Sequence, residues 1–277
     1  MHSVRRAAAV NLATPPSTLE VLASELGCGP QVAGNPSTPV MVLRELASST
    51  DARVRERVAG NASTLADVME GLALDPEAGV RALVGVHENA SIAILERLAK
   101  DGDLSVQAAV VTNVRTPGAA LHELAQVADE SVRLAAAKNP SAPASALEIL
   151  AASPDPWHRR AVAINPSTPP LLLEVLALDL HAAVQSGVAG NPNIPEAARH
   201  LLSADAEVWL WADAARNPHT GSEALEGFAS SRDAYVRLAV AENSNTPLAT
   251  VLSLLYDEVA LVRAAAAVHP ALPALPV

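Results

Sequence analysis

The chain has 277 residues, half of them hydrophobic but only 2% aromatic, and its 30 acidic residues against 19 Lys plus Arg give a formal net charge of -11. That sign opposes general nucleic-acid binding, where affinity comes from neutralising phosphates. The single cysteine, Cys28, excludes an intramolecular disulfide framework, an all-Cys zinc site and a cysteine-ligated iron-sulfur cluster.

No apolar run approaches the ~20 residues of a membrane-spanning helix. The start from Met1 to Val10 imitates a signal peptide only weakly, because its short apolar stretch already belongs to the pattern described next. The expectation is a cytoplasmic protein without a membrane partner.

The chain repeats itself. Landmarks stand at Asn11, Asn35, Asn61, Asn113, Asn139, Asn165, Asn191, Asn217 and Asn243, with His87 and His269 in the same register, and from residue 35 onward every step is 26. The first step is two residues shorter, and the loss falls near Gly27, where successive helices would join.

Within each repeat the first element is a predicted helix A. Seven residues before the landmark stands a core row, Val4, Val54, Val80, Val106, Val132, Val184, Val236 and Val262, with Cys28, His158 and Leu210 as exceptions. Further apolar residues follow at helical spacing, as in Val58 with Ala59. The second element is a predicted helix B. It begins at Thr-Pro pairs such as Thr38-Pro39, Thr116-Pro117, Thr168-Pro169 and Thr246-Pro247, read as an N-cap hydroxyl before a first-turn proline. Its leucines lie at Leu43 and Leu46, Leu121 and Leu124, Leu147 and Leu150, and Leu173 and Leu176. Helices of about ten residues are marginal alone, since isolated helices below ~12 to 15 residues barely hold in water. Stacking must supply the core, which predicts an all-α solenoid of ten two-helix repeats plus a terminal half-repeat over 262–277, one domain spanning 1–277.

The recurring string is fullest from Val132-Arg133 through Asn139-Pro140-Ser141 to Leu147 and Leu150-Ala151, and it resembles the leucine-rich repeat variant family over essentially the whole chain. The resemblance implies a right-handed superhelix related to armadillo and HEAT arrays, with one helix of each pair tending toward 3-10 geometry. Some members carry a cysteine-rich iron-sulfur segment ahead of the repeats. This chain has no such segment, so no redox role and no cofactor is carried over. The family is not defined by one activity, and the match implies a fold rather than a function.

Nine copies of Asn in one register cannot each be a catalyst, so the row reads as structural, a left-handed residue capping the end of helix A, with His87 and His269 as further caps. An Arg row (Arg5, Arg55, Arg81, Arg133, Arg159, Arg237, Arg263) has an acid four residues earlier in five repeats: Asp51, Glu77, Asp129, Asp155 and Asp233. These read as solvated helical pairs. Asp75, Asp101, Asp179, Asp205 and Asp257, with Asp51, Asp103, Asp129 and Asp233 two residues on in register, trace the loops from B to A and read mainly as a solubilising edge. Phosphate loops, nucleophile elbows and metal-ligand spacings are absent, so no enzyme and no metal site is expected.

Departures from the internal consensus are more informative. Trp157, Trp209 and Tyr235 share one repeat position, Trp211 replaces the expected Arg, His158 the Val and Arg199 a core Leu, and Arg160 lies beside Arg159. Trp157, Arg159, Arg160, Trp209, Trp211 and Tyr235 form the candidate recognition patch, because Trp, Tyr and Arg dominate binding hot spots. The competing reading is that the rings fill gaps beside Ala161, Ala183 and Gly187. The expected function is a non-enzymatic scaffold for a protein or peptide. Two alternatives stand beside it: a HEAT-like DNA-repair glycosylase, motivated by the Trp and Arg cluster with Asp213, and a structural subunit docking or self-associating through its ends. The array starts inside a helix A, and Pro270, Pro273 and Pro276 would interrupt its last helix B.

Overall fold

A computed structural model describes residues 2–25, 27–205, 208–218 and 220–272, without the side chains of 2, 199–200, 203–205 and 208–210. Among the described residues there are 21 helices and no strands, all of the helices α-helical, so the 3-10 tendency implied by the resemblance does not appear. The chain divides into two compact units, Met1–Ser141 and Ala142–Val277. Nothing in the periodicity marks that division, since the 26-residue step runs through it unchanged.

In the first unit the A helices are α1 (His2–Val10), α3 (Gly29–Ala33), α5 (Ala52–Ala59), α7 (Ala78–Val86), α9 (Leu104–Thr112) and α11 (Glu130–Lys138). Its B helices are α2 (Pro16–Ala23), α4 (Val40–Leu46), α6 (Ala66–Leu72), α8 (Ile92–Leu98) and α10 (Gly118–Leu124). The second unit alternates α12 (Ala144–Ala151), α13 (Pro156–Ile164), α14 (Pro170–Ala177), α15 (Ala182–Ala189), α16 (Glu196–Asp205), α17 (Val208–Arg216), α18 (Ser222–Ala229), α19 (Ala234–Glu242), α20 (Leu248–Leu254) and α21 (Ala260–Ala267), beginning with a B helix. Within each unit, successive A helices pack on one another, as α5 on α7 and α17 on α19, and each B helix closes against its A neighbours.

The Val row and the B-helix leucines make this core. Val80, Val106, Val184 and Val262 are fully enclosed, as are Leu43, Leu121 and Leu173. Side chains close both ends of several A helices. Asp51, Asp103, Asp129, Asp155 and Asp233 cap helix A by accepting a backbone N–H two or three residues on, as from Arg53 at 3.0 Å. The threonines act at the other end. The Thr38 hydroxyl donates to the Val32 carbonyl at 2.5 Å, and Thr64, Thr116, Thr168, Thr220 and Thr246 repeat the bond six residues back into helix A. They close helix A rather than start helix B, whose N-cap is the following proline, as at Pro39, Pro117, Pro169 and Pro247. Proline suits that place, since a group with no N–H leaves no orphan donor there. The shortened first loop turns at Gly27, whose φ of 79° is open to glycine and costly for other residues.

Candidate recognition surface

The Asn row joins repeats through their backbones. Asn61 Nδ2 donates to the carbonyls of Ala33 at 2.7 Å and Asn35 at 2.9 Å, while its Oδ1 accepts from Ser63 N–H. Asn35, Asn113, Asn139, Asn191 and Asn243 make the same double reach into the preceding repeat. His87 and His269 keep one carbonyl bond, to Asn61 at 3.0 Å and Asn243 at 2.8 Å, and accept a backbone N–H at the other ring nitrogen. The left-handed conformation expected for this row is absent. Asn113, Asn139, Asn165 and Asn243 have φ between -68° and -80°, and no described residue other than glycine has a positive φ. An extended Asn aims its amide at the neighbour, where a left-handed one would turn back to its own helix.

The Arg row also has a different partner from the one expected. Arg55 forks onto Asp75 at 2.6 and 2.9 Å, and its Nη1 donates to the Ser49 and Thr50 carbonyls. Arg81 holds Asp101, Arg159 holds Asp179 and Arg237 holds Asp257 in the same way, each 20 residues ahead. Of the acids four residues earlier, Asp51, Asp129, Asp155 and Asp233 are occupied as helix caps, while Glu77 makes no side-chain cap. Gln107 and Gln185, in the Arg register, keep only the bond to the loop carbonyl, of Asp101 and Asp179 respectively. The bound guanidinium holds the carboxyls of Asp101, Asp179 and Asp257 below the usual carboxylate range, against an opposing push from burial. These aspartates are therefore internal clamps, not a free acidic edge; the side chain of Asp205 lies outside the described residues.

Once these rows are assigned, the candidate residues separate. Trp157 is 58% exposed at the start of α13 and meets His181 with ring centroids 6.3 Å apart. Tyr235 is 69% exposed at the start of α19. Trp211 instead packs against Phe228, centroids 5.2 Å apart, on the core around Ala215, Leu225 and Val240. Arg159 is committed to Asp179, and Arg160 is half-buried on α13. The side chains of Trp209 and Arg199 lie outside the described residues. His158 is buried, with Nδ1 3.1 Å from Asp155. Asp213 is exposed and faces Arg216 at 3.8 Å.

Sequence reasoning missed apolar residues on the same edge. Leu178 and Leu180 follow α14, Tyr256 follows α20, and Leu261 opens α21 in the register of Trp157 and Tyr235; all four are well exposed. In the first unit that register holds Arg53, Gly79, Ser105 and Ser131. At the Trp157 register the second unit thus carries large exposed side chains where the first carries polar residues or glycine, while in the loop register of Leu178 and Tyr256 the first unit has the exposed Leu74. No described group of three His, Cys, Asp or Glu side chains is arranged to hold a metal, and no described helix is long and apolar enough to cross a membrane.

No family model matches the chain, and no curated protein does. Among solved structures it is similar to a leucine-rich repeat variant with a novel repetitive structural motif, 25% identical over 80% of this chain and 87% of that one, with a TM-score of 0.46. It is also similar to an engineered protein, 18% identical over 96% of this chain and 93% of the other, with a TM-score of 0.36. The chain's own alternation of A and B helices, successive A helices packing on one another within each unit, is that of an all-helical repeat protein.

Proposed function

We propose that this protein is a non-enzymatic scaffold that binds a protein or peptide along the apolar edge of its second unit. The observation that carries the reading is the exposure of Trp157 and Tyr235 at one repeat position, continued by Leu178, Leu180, Tyr256 and Leu261. Large side chains left mostly exposed are expected where a partner covers them. Trp157 and Tyr235 are the anchors, with Trp209 of the same register proposed beside them. Trp211 packs on Phe228 at the core, and Arg159 fixes the loop through Asp179. We place the protein in the cytoplasm, a reading supported by its lone, buried Cys28 thiol.

The test is affinity capture from native lysate with the intact protein and with a Trp157→Ala, Tyr235→Ala chain whose circular dichroism is unchanged. Those two side chains are exposed, so the variant should fold, whereas Trp211→Ala would open the core beside Phe228. A partner retained by the intact protein and lost by the variant is the expected result. Equal retention by both chains would overturn this placement.

A further inference from the structure

In the first unit the A helices α3, α5 and α7 stand side by side and leave a trough across their surface. The residue just before the landmark is Val86, Thr112 or Lys138 in the later repeats of this unit, but Gly34 and Gly60 in these two. The stem of Arg57 lies across the bare backbone of Gly34, its Cδ 3.4 Å from where a Cβ would stand. Two cavities, of about 330 and 430 Å³, share Gly34 and Arg57 as lining. Val10, Leu12 and Pro30 give the first an apolar wall, and Glu56, Gly60 and Leu83 complete the second.

The charges of this trough are unpaired. Among the described residues the Arg57 guanidinium has no hydrogen bond or ion pair, and neither has the Glu56 carboxylate. Gln31, one repeat back in the register of Arg57, lines the first cavity, and nothing donates to its Oε1. A third cavity, over α4 and α6, is different: its Arg44 is paired with Asp67 and its Asp75 with Arg55. A guanidinium without a partner is a planar fork of donors matched to a carboxylate.

Both cavities stand open to solvent, whereas sites for small molecules enclose most of their ligand. Packed helices lie roughly 8 to 10 Å apart, so a trough over three of them runs roughly 16 to 20 Å. That is the reach of about six extended residues. We propose that this trough binds an extended peptide that lays an acidic side chain on Arg57, with an apolar side chain toward Pro30 and a basic one at Glu56. The site is independent of the apolar edge of the second unit, since α1 to α7 carry every residue it uses.

The probe is a set of capped peptides of about eight residues that hold a Leu, a Glu and a Lys in that order at varied spacing. The intact protein should retain members of the set, and fluorescence anisotropy with the tightest gives its Kd. Replacing the Glu of that peptide by Gln should weaken binding at least about tenfold, and so should Arg57→Gln in the protein. Arg57 is exposed and unpaired, so that variant should fold. Gly60→Val gives this position the residue found at Val86; its Cβ would meet the Glu56 carbonyl at 3.5 Å and Leu83 at 3.9 Å, both ordinary contacts, so the chain should fold with the trough filled and bind as poorly. The Trp157→Ala, Tyr235→Ala chain should bind the peptide like the parent. A set from which nothing is retained overturns the proposal, as does equal affinity for the Glu and Gln peptides. So does unchanged binding by Arg57→Gln, binding of N-acetylglutamate amide as tight as that of the peptide, or a loss that follows Trp157 and Tyr235 instead of Arg57.

Discussion

At the scale of single residues, the amide of Asn61 is worth more than its small size suggests, because it satisfies two backbone carbonyls of another repeat in a buried place. Asn61→Asp keeps the bond from Ser63 but turns an oxygen toward Ala33 and Asn35 and buries a charge, so it should destabilise the protein by about 3 kcal/mol in urea unfolding. Asn11→Asp, where the amide touches no acceptor, should leave unfolding unchanged. Equal effects at the two positions would refute the role assigned to the row. The register of these residues was legible in the sequence, and so was their structural character. Their partners were not, because a bond to a main-chain carbonyl 26 or 28 residues back leaves no trace in side-chain identity. The threonine hydroxyls were misread for a related reason, since a residue between two helices can cap either one.

At the scale of helices, two contacts set how closely repeats approach and how they respond to acid. Gly187 on α15 would place a Cβ 2.9 Å from the Ala163 Cβ and 3.3 Å from the Arg160 carbonyl on α13. Alanine there gains about 1 kcal/mol of helix propensity, but neither obstacle is a flexible side-chain end. Gly187→Ala should therefore destabilise by a net of about 1 to 2 kcal/mol, seen as a lower unfolding temperature; a rise would show that the helices can part at no cost. The clamps respond to pH. The folded protein holds Asp101, Asp179 and Asp257 below their unfolded range. Their contribution is present above the unfolded carboxylate value, near ~4, and is lost as pH falls through that value and then the folded ones. Urea midpoints should vary little between about pH 5 and 7 from these groups and drop below about pH 4. In Asp257→Asn the drop should be shallower, and an unchanged acid slope would remove that clamp from the account. Helix positions were readable from periodicity. The clamps were not, because the local spacing of four residues offered Arg55, Arg159 and Arg237 a nearer acid that the helix end had already taken.

At the scale of the molecule, periodicity predicted the alternation of A and B helices but not the division into two units, because the 26-residue step continues through it unchanged. The candidate surface was only partly legible. Trp157 and Tyr235 stood out as departures from consensus, while Leu178, Leu180, Tyr256 and Leu261 were hidden among ordinary apolar residues until their exposure was known. Trp211 shows the converse, an unusual residue whose ring packs on Phe228 at the edge of the core.

The amides that join repeats bind only main-chain carbonyls, and this bears on how such an array changes length. A joint that ignores the side chains of its neighbour accepts any neighbour of the same backbone, so whole repeats are interchangeable parts that can be duplicated or lost without rewriting those beside them. Removing residues 62–87 would bring Asn113 to the carbonyls of Ala59 and Asn61 and pair Arg55 with Asp101, keeping both kinds of joint in register. The shortened chain should still unfold cooperatively, at a somewhat lower urea midpoint. A deletion one residue longer or shorter should lower the midpoint further, because the shift must be absorbed at the one joint that spans the cut, as the two-residue shortening near Gly27 is absorbed before Asn35.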